Sequence, residues 1–187
     1  LNITDAITVE AWICPKNVVG GQFITVKRSG TFDYIFYLTE EELRFRIFTT
    51  QSYEVGIGKD TIQTYQWQHV VATYNGSNLS IYVDGIQKDI TPASGSMIPP
   101  AVNLFIGKDS VADQYYFNGS IDEVRIYNRA LSNDEINQTM NNTMKTTDNV
   151  THWHDAGAGY QTLSFIVNMT TPTNSNYTVW YADNGSS

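Results

Sequence analysis

Residues 67–85 read WQHVVATYNGSNLSIYVDG and carry the clearest pattern in the chain. Residues 70–74 form a β-branched and aromatic run, and residues 75–78 supply the side chains of a turn. Apolar and polar residues then alternate over 79–84, which predicts a strand that is buried on one face. Asp84-Gly85 predicts a tight hairpin turn, because both residues tolerate a positive φ. The stretch therefore predicts an antiparallel meander with a core face.

Further pieces flank this stretch in a fixed order. They are Thr8-Val9-Glu10-Ala11-Trp12-Ile13 upstream, and Leu104-Phe105-Ile106-Gly107, Phe117 to Tyr127 and Leu131 to Ile136 downstream. Together with Trp67, His69, Tyr74 and the run Ile81-Tyr82-Val83-Asp84-Gly85, they resemble the laminin-G-like, concanavalin A-like jelly roll over roughly residues 1 to 138. The resemblance extends to such domains in multidomain surface glycoproteins, archaeal ones among them. It implies an all-β jelly-roll sandwich, whose members include lectins, adhesion modules and glycosidases.

The rest of the chain alternates short apolar runs with turns, which predicts a β-sandwich. The predicted strands lie at residues 7–13, 23–27, 34–38, 43–48, 53–57, 102–107 and 121–128. Ser132 with Glu135 three residues later is a capping box, which predicts one short helix from about Asn133 to Met140. We therefore place a jelly-roll domain at residues 1–140, a linker at 141–160 and a β-rich segment at 161–187, either immunoglobulin-like or partial.

The tail contains two apolar runs, Thr162–Asn168 and Tyr177–Tyr181. Two strands alone are marginally stable, so they must pack on something. Three alternatives are open: the tail completes an open edge beside the Ile7–Ile13 and Ile121–Asn128 strands, it pairs with a neighbouring subunit, or it forms a small sandwich of its own. The resemblance also leaves the usual opening strands of the family missing, so we expect a piece of a longer protein.

Charge excludes several classes of partner. The chain has 11 Lys and Arg against 19 Asp and Glu, a net charge of −8 and a pI near 4.7. Nucleic acids and anionic membrane surfaces select basic patches, so neither is expected as a partner. No apolar run is long enough to span a bilayer. Cys14 is the only cysteine, which excludes an intrachain disulfide and suits a small buried thiol.

The sequence is dense in Asn-x-Ser/Thr sequons, the acceptor motif of N-glycosylation. They begin at Asn2, Asn75, Asn78, Asn118, Asn137, Asn141, Asn149, Asn168, Asn176 and Asn184. Most fall in predicted turns and linkers, where an acceptor is accessible. The density favours an extracellular, cell-surface glycoprotein.

Asp122 is the most informative carboxylate for a metal site. The alternation of its strand places Asp122 with Val124 and Ile126 on the inward face. The other face carries Ile121, Glu123, Arg125 and Tyr127. A buried carboxylate needs a cation or several donors. In the jelly rolls that the chain resembles, this Asp often helps to hold a structural calcium, with an acid from the opening strands. Two alternatives are open: a calcium ligand, or an Asp that accepts hydrogen bonds from turn amides.

No pattern of acid catalysis is present. Glycoside hydrolysis needs two carboxylates that face one cleft, and the jelly-roll glycosidases carry an alternating Glu-x-Asp-x-Glu motif that this sequence lacks. Glu10 has no partner within its own strand. His152 and His154 with Asp155 offer too few ligands for zinc and read as a polar segment between domains. We therefore expect a protein that is not an enzyme.

Two groups of residues are candidates for ligand binding. Trp12, Tyr82, Phe48 and Tyr116 either form a sugar-stacking platform or are packed. The polar residues Asp109, Asp113 and Gln114, with Tyr116, lie in the loop before the last strand, where ligands often bind.

Two functions follow from these observations. The first is a non-catalytic structural or adhesive module of a glycosylated surface protein or filament, which contacts other subunits or its own parent chain. The alternative is a lectin-like carbohydrate-binding module, with or without dependence on calcium.

Overall fold

The computed structural model describes residues 3–29, 32–40, 42–98, 102–109 and 115–143, with the short strands at 163–164 and 178–179. The first strands are β1 (Ile7–Pro15), β2 (Gln22–Ser29), β3 (Phe32–Thr39), β4 (Glu42–Phe48), β5 (Ser52–Ile57) and β6 (Gln68–Tyr74). They are followed by β7 (Asn78–Val83), β8 (Ile86–Pro92), β9 (Phe105–Ile106), β10 (Gly119–Tyr127) and the helix α1 (Asn133–Asn142). β11 (Leu163–Ser164) and β12 (Thr178–Val179) pair with each other.

Two five-stranded antiparallel sheets form the sandwich. The first sheet has the order β10-β1-β6-β7-β8, and the second has the order β5-β4-β3-β2-β9. Ile7, Val9, Ala11 and Ile13 alternate into the core from β1, where they meet Phe36 and Phe45 of the second sheet. Tertiary contacts divide the chain into one unit at Leu1–Lys145 and another at Thr146–Ser187. The predicted all-β sandwich with a short helix is confirmed, whereas the domain boundaries and the role of the tail stay predictions.

The central meander has the turns that the sequence predicts. Asn75 accepts backbone hydrogen bonds from Ser77 (3.0 Å) and Asn78 (2.8 Å) through its side-chain oxygen. Asp84 and Gly85 have φ values of 49° and 74°, as a two-residue hairpin turn requires. Their hairpin leads into β8, an edge strand with mostly exposed residues. The sequence pattern does not indicate β8, because an exposed edge strand lacks the alternation of a half-buried one.

The helix α1 begins where the capping box predicts. The Ser132 hydroxyl accepts a hydrogen bond from the Glu135 amide (3.3 Å), and the Glu135 carboxylate accepts one from the Ser132 amide (2.8 Å). Ile136 and Leu131 pack with Val71 and Tyr82 on the outer face of the first sheet. The described helix is neither long nor apolar enough to cross a membrane.

The two sheets differ in how their outer faces are covered. Every residue of β6 is buried, because the core lies on one side and polar and apolar side chains near α1 lie on the other. Residues of β4 instead alternate between half-buried and buried. The outer face of the second sheet is therefore partly open to solvent.

Candidate functional site

A bulge in β2 decides what the second sheet presents outward. The pairing of β2 with β3 shifts between Phe23 and Thr25, so Ile24 packs in the main core. Phe23 and Val26 instead pack with Ile35 in a separate cluster on the outer side. A β-bulge inserts one extra residue and so turns the following side chains to the other face. The bulge thus places an aromatic ring, Phe23, on the outer face.

The Phe23 ring packs against two tyrosine rings. Its own side chain is only 6% exposed. Tyr37 meets the Phe23 ring edge-on with centroids 5.7 Å apart, and Tyr115 stacks on it at 5.1 Å. Tyr115 is 44% exposed, and its ring lies against Gly21, where an added Cβ would approach Tyr115 Cδ1 to 2.7 Å. The Tyr115 ring is therefore exposed, and its contacts with Phe23 and Gly21 hold it in position.

A polar network continues from Tyr37 across the sheet. The Tyr37 hydroxyl donates to Glu54 Oε2 at 2.7 Å. Arg44 donates to Glu42 Oε2 through Nε at 2.9 Å and through Nη2 at 2.5 Å, and it also donates to Glu54 through Nη1. Arg44 lies beside Gly56 of β5, where an added Cβ would approach Arg44 Cγ to 3.0 Å. Because Gly56 has no side chain, Arg44 has room to lie over β5 and to bind both Glu42 and Glu54.

The same contacts shift two pKa values. Burial raises the pKa of Tyr37, and the hydrogen bond to Glu54 raises it further. Hydrogen bonds to Glu42 and Glu54 raise the pKa of Arg44. Tyr37 therefore stays a hydrogen-bond donor and Arg44 stays a cation throughout the physiological pH range.

At its other end the site reaches a loop residue that the sequence analysis selected. Asp109 is 2% exposed and binds Arg28 Nη2 at 2.8 Å. The Arg28 guanidinium lies 5.8 Å from the Phe23 ring centroid. We call this set of residues the outer band; it comprises Phe23, Arg28, Tyr37, Glu42, Arg44, Glu54, Asp109 and Tyr115.

The structure places the other predicted ligand residues as follows. Tyr116 is 38% exposed and follows Tyr115 of the outer band. Asp113 and Gln114 lie outside the described residues. Asp109 lines the band through its ion pair with Arg28, but no observation tests any of the four as a ligand. Their binding role stays a prediction.

Of the two alternatives for Trp12, Tyr82, Phe48 and Tyr116, the single platform is wrong, and packing is confirmed for Trp12 and Tyr82. Trp12 and Tyr82 lie on the first sheet and are 6% and 7% exposed. Trp12 stacks at a tilt on His69 and donates to Thr143 at the end of α1 (2.9 Å). Tyr82 packs against Leu131 and Ile136. The short helix covers these rings, and alternation along the strand cannot show that cover.

Glu10 anchors a buried network that the sequence analysis did not foresee. Its side chain is fully buried, and it accepts from Arg125 (2.9 Å), from Tyr127 (3.3 Å) and from Thr139 of α1 (3.0 Å). His69 Nε2 lies 3.9 Å from Glu10 Oε2. Glu10 has no partner in its own strand, but the partners come from β10, β6 and α1, so only the fold brings them together.

Asp122 does not lie on the inward row that the alternation predicts. Ile121 packs against the core together with Val124 and Ile126. A bulge lies between the Glu10 and Trp12 pairings, and Glu123 there has a φ of 51°. Ile121 was therefore wrongly assigned to the outward face. The Asp122 carboxylate accepts a hydrogen bond from the Glu123 amide at 2.7 Å.

The described residues hold no group of three or more His, Cys, Asp or Glu side chains arranged for a metal. The bond from the Glu123 amide is the kind that the turn-amide alternative expects at Asp122. Calcium at Asp122 stays a prediction. His152, His154 and Asp155 lie outside the described residues.

The sequons differ in their surroundings. Asn75, Asn118 and Asn141 are exposed, whereas Asn78 and Asn137 are half-buried. The hydroxyls of the threonines in two helix sequons serve the fold, since Thr139 donates to Glu10 and Thr143 accepts from Trp12. Asn2, Asn149, Asn168, Asn176 and Asn184 lie outside the described residues. Glycosylation stays a prediction at all ten positions.

Comparison with known proteins supports the fold. The model of the family described as the concanavalin A-like lectin/glucanases superfamily matches residues 1–137. The comparison with curated proteins found no match.

Among solved structures, the carbohydrate-binding module CBM40 of the Ruminococcus gnavus IT-sialidase, bound to α2,3-sialyllactose, matches with a TM-score of 0.62 at 14% identity, over 73% of this chain and 83% of that one. Domain 4 of an extracellular arabinanase from Geobacillus stearothermophilus, in complex with arabinotriose, matches with a TM-score of 0.59 at 20% identity, over 74% and 68%. Domains LG4-5 of the mouse laminin alpha1 chain match with a TM-score of 0.57 at 13% identity, over 72% and 38%. At these identities the likeness shows a shared fold.

Proposed function

Because the chain belongs to the concanavalin A-like lectin/glucanase superfamily, we propose that it is a non-catalytic module that binds carbohydrate through the outer band. One observation carries the proposal. Tyr115 and Tyr37 are fixed against the buried Phe23 ring and adjoin a hydrogen-bonded network of Glu54, Arg44 and Glu42. Sugar sites combine apolar stacking surface with a few well-placed polar groups, and the band combines both.

The two halves of the band would contact different parts of a sugar. The C–H face of a pyranose or furanose ring packs on an exposed aromatic ring such as that of Tyr115. Its hydroxyl groups donate to the free lone pairs of Glu54 and accept from Arg44. Since the network already orients these side chains before binding, little rotamer entropy is lost on binding.

The same contacts support a binding role without catalysis. A glycosidase uses one carboxyl to protonate the leaving oxygen and a second one on the other side of the scissile bond. Glu42 and Glu54 are the carboxylates of β4 and β5 on this face, and both are bound to Arg44. Glu42 Oε2 and Glu54 Oε1 accept from Arg44, and Glu54 Oε2 accepts from Tyr37, so both carboxylates take part in one network.

The setting that we propose is the cell surface or the extracellular space. The sequon density supports it, and so does the exposure of Asn75, Asn118 and Asn141. In that setting the domain would attach its parent protein to glycans. The calcium-dependent form of this hypothesis rests on Asp122.

A second candidate is adhesion through protein contacts with other subunits or the parent chain. Its support is the edge strand β8, where Ile86 and Ile90 are 60% and 51% exposed. The β7–β8 pairing contains a bulge, and Lys88 of β8 is exposed. Both features disfavour the pairing of an edge strand with another chain. The outer band therefore favours glycan binding over strand pairing.

Two glycine variants test the proposal. Gly21→Ala places a methyl group against the Tyr115 ring and must displace it, whereas Gly58→Ala meets nothing within 4 Å. We expect wild type and Gly58→Ala to bind the same oligosaccharides on a broad glycan array, and Gly21→Ala to bind them about fivefold more weakly, since a well-placed aromatic contact is worth about 1 kcal/mol.

Affinities would be measured by isothermal titration calorimetry, and circular dichroism would confirm that all three proteins are folded. Absence of binding across all sugar classes, together with self-association in sedimentation velocity, would replace the proposal with adhesion through protein contacts.

A further inference from the structure

We infer that the outer band selects neutral glycans over acidic ones, an inference that rests on the proposed function. The band pairs its charges internally, and Arg46, which lies between Ile35 and Glu54 on the same face, is not without a partner either. Arg44 donates through Nε, Nη1 and Nη2 to Glu42 and Glu54, and Arg28 binds the fully buried carboxylate of Asp109. The donors that a ligand carboxylate would use are thus largely engaged by the protein's own carboxylates.

Recognition of an acidic sugar makes a specific demand on a site. A carboxylate is bound best by an arginine that offers two parallel N–H donors. Arg44 is 36% exposed, but each nitrogen of its guanidinium already donates to a glutamate. These three bonds leave one N–H on Nη1 and one on Nη2. A ligand carboxylate that bound them would lie beside the carboxylates of Glu42 and Glu54, and like charges that close are unfavourable.

The network suits hydroxyl groups instead. An ionised carboxylate accepts about four hydrogen bonds, and Glu54 uses one oxygen for Tyr37 and the other for Arg44, which leaves lone pairs for further donors. Sugar hydroxyls supply those donors without adding charge. Glu42 and Glu54 are 27% and 29% exposed, so both can be reached from solvent.

The charge of the whole chain acts in the same direction. With a net charge of −8, the protein repels polyanions at long range and slows their encounter. Neutral glycans do not experience this repulsion. The structural relatives include complexes with both kinds of sugar, neutral arabinotriose and acidic sialyllactose, so the fold alone does not decide between them.

Matched ligand pairs test the inference. Each pair has the same backbone with and without acid groups: lactose with α2,3-sialyllactose, fully methyl-esterified polygalacturonate with polygalacturonate, and xylan with glucuronoxylan. For every pair of which a member binds, we expect the neutral member to bind at least tenfold more tightly at 150 mM salt, because like charges close together cost about a factor of ten or more.

A charge-matched pair of variants locates the effect. Glu54→Gln removes a negative charge from the band, and Asp89→Asn removes one from β8 on the other sheet. We expect Glu54→Gln to reduce severalfold the ratio of the dissociation constants of the acidic and the neutral member. Asp89→Asn should leave this ratio unchanged. The Asp89 side-chain oxygen accepts from the Ile90 amide, a bond that asparagine retains.

The outcomes separate this inference from the proposal beneath it. Binding of acidic members as tight as that of neutral ones, with affinity falling as salt rises, would overturn the selectivity and leave glycan binding standing. The same ratio of dissociation constants in both variants would also overturn the selectivity, since the preference for neutral glycans would then not come from the band. No binding by any member of any pair would remove the proposed function and the inference together.

Discussion

Phe23 shows how far one residue can set the geometry of a surface. The bulge in β2 turns Phe23 outward, and its buried ring then supports Tyr37, Tyr115 and the guanidinium of Arg28. Strict alternation would place Phe23 on the same face as Thr25 and Lys27. An inserted residue leaves no mark in the hydrophobic pattern, so the sequence did not reveal the outer band.

A second bulge, at Glu123, explains why the sequence misplaced Ile121. Glu123 has a φ of 51°, a conformation that costs a residue with a side chain roughly 1–2 kcal/mol. The Asp122 carboxylate accepts a hydrogen bond from the Glu123 amide and so helps to hold this bulge. This bond links Asp122 to the backbone of its own strand.

Two substitutions separate the interpretations of Asp122. If it holds only the bulge, Asp122→Asn keeps an acceptor and changes the melting temperature little, whereas Asp122→Ala loses the bond and about 1–2 kcal/mol. If it binds calcium, a chelator lowers the melting temperature of wild type. Without chelator, the melting temperature of wild type rises with calcium concentration. Thermal unfolding of the three proteins with and without chelator decides, and equal melting of wild type in both buffers contradicts the calcium proposal.

At the scale of elements, the helix α1 completes the outer face of the first sheet. Thr139 and Thr143 lie one turn apart and bind Glu10 and Trp12 respectively. Gly85 lies so close to α1 that an added Cβ would be 2.0 Å from Asn137 Oδ1. The capping box predicted where the helix begins, but which strand residues it covers depends on contacts distant in sequence.

The buried histidine under this helix predicts a dependence on pH. Burial lowers the pKa of His69 from its usual 6.5, although Glu10 and Asp84 favour the charged form. The neutral imidazole therefore stabilises the fold above pH 6.5, and that contribution is lost as the pH falls through the lowered pKa.

We expect the free energy of urea unfolding of wild type to decrease between pH 7 and pH 5, with at most about 1.4 kcal/mol per pH unit from this one group. His69→Gln, which does not titrate, should show a smaller slope over the same range. If both proteins lose stability with the same slope, His69 is not the group that titrates.

At the scale of the whole molecule, the sequence predicted the parts that obey local rules. Hairpin turns at Asn75–Asn78 and Asp84-Gly85, alternating strands and the helix cap each depend on neighbours a few residues away. The site could not be predicted in this way. Its residues come from β2, β3, β4, β5 and the connection between β9 and β10. Glu10 likewise finds partners more than a hundred positions along the chain. Only Asp109 of the outer band was among the predicted ligand residues.

The central claim is that the outer band, rather than any exposed aromatic surface, binds glycans. The chain offers a matched pair of tyrosines. Tyr115 belongs to the band, and Tyr65 lies outside it; they are 44% and 74% exposed, and both have a positive φ, 58° and 59°. Alanine at either position removes one exposed ring from the same backbone conformation. Tyr115→Ala also loses the packing on Phe23, so circular dichroism is used to confirm that both variants are folded.

The most direct measurement is the dissociation constant of the tightest-binding oligosaccharide for wild type, Tyr115→Ala and Tyr65→Ala, by isothermal titration calorimetry. We expect Tyr115→Ala to weaken binding at least fivefold, since loss of a stacked ring costs about 1 kcal/mol or more, and Tyr65→Ala to bind like wild type. Unchanged affinity in Tyr115→Ala, or an equal loss in Tyr65→Ala, would contradict the account.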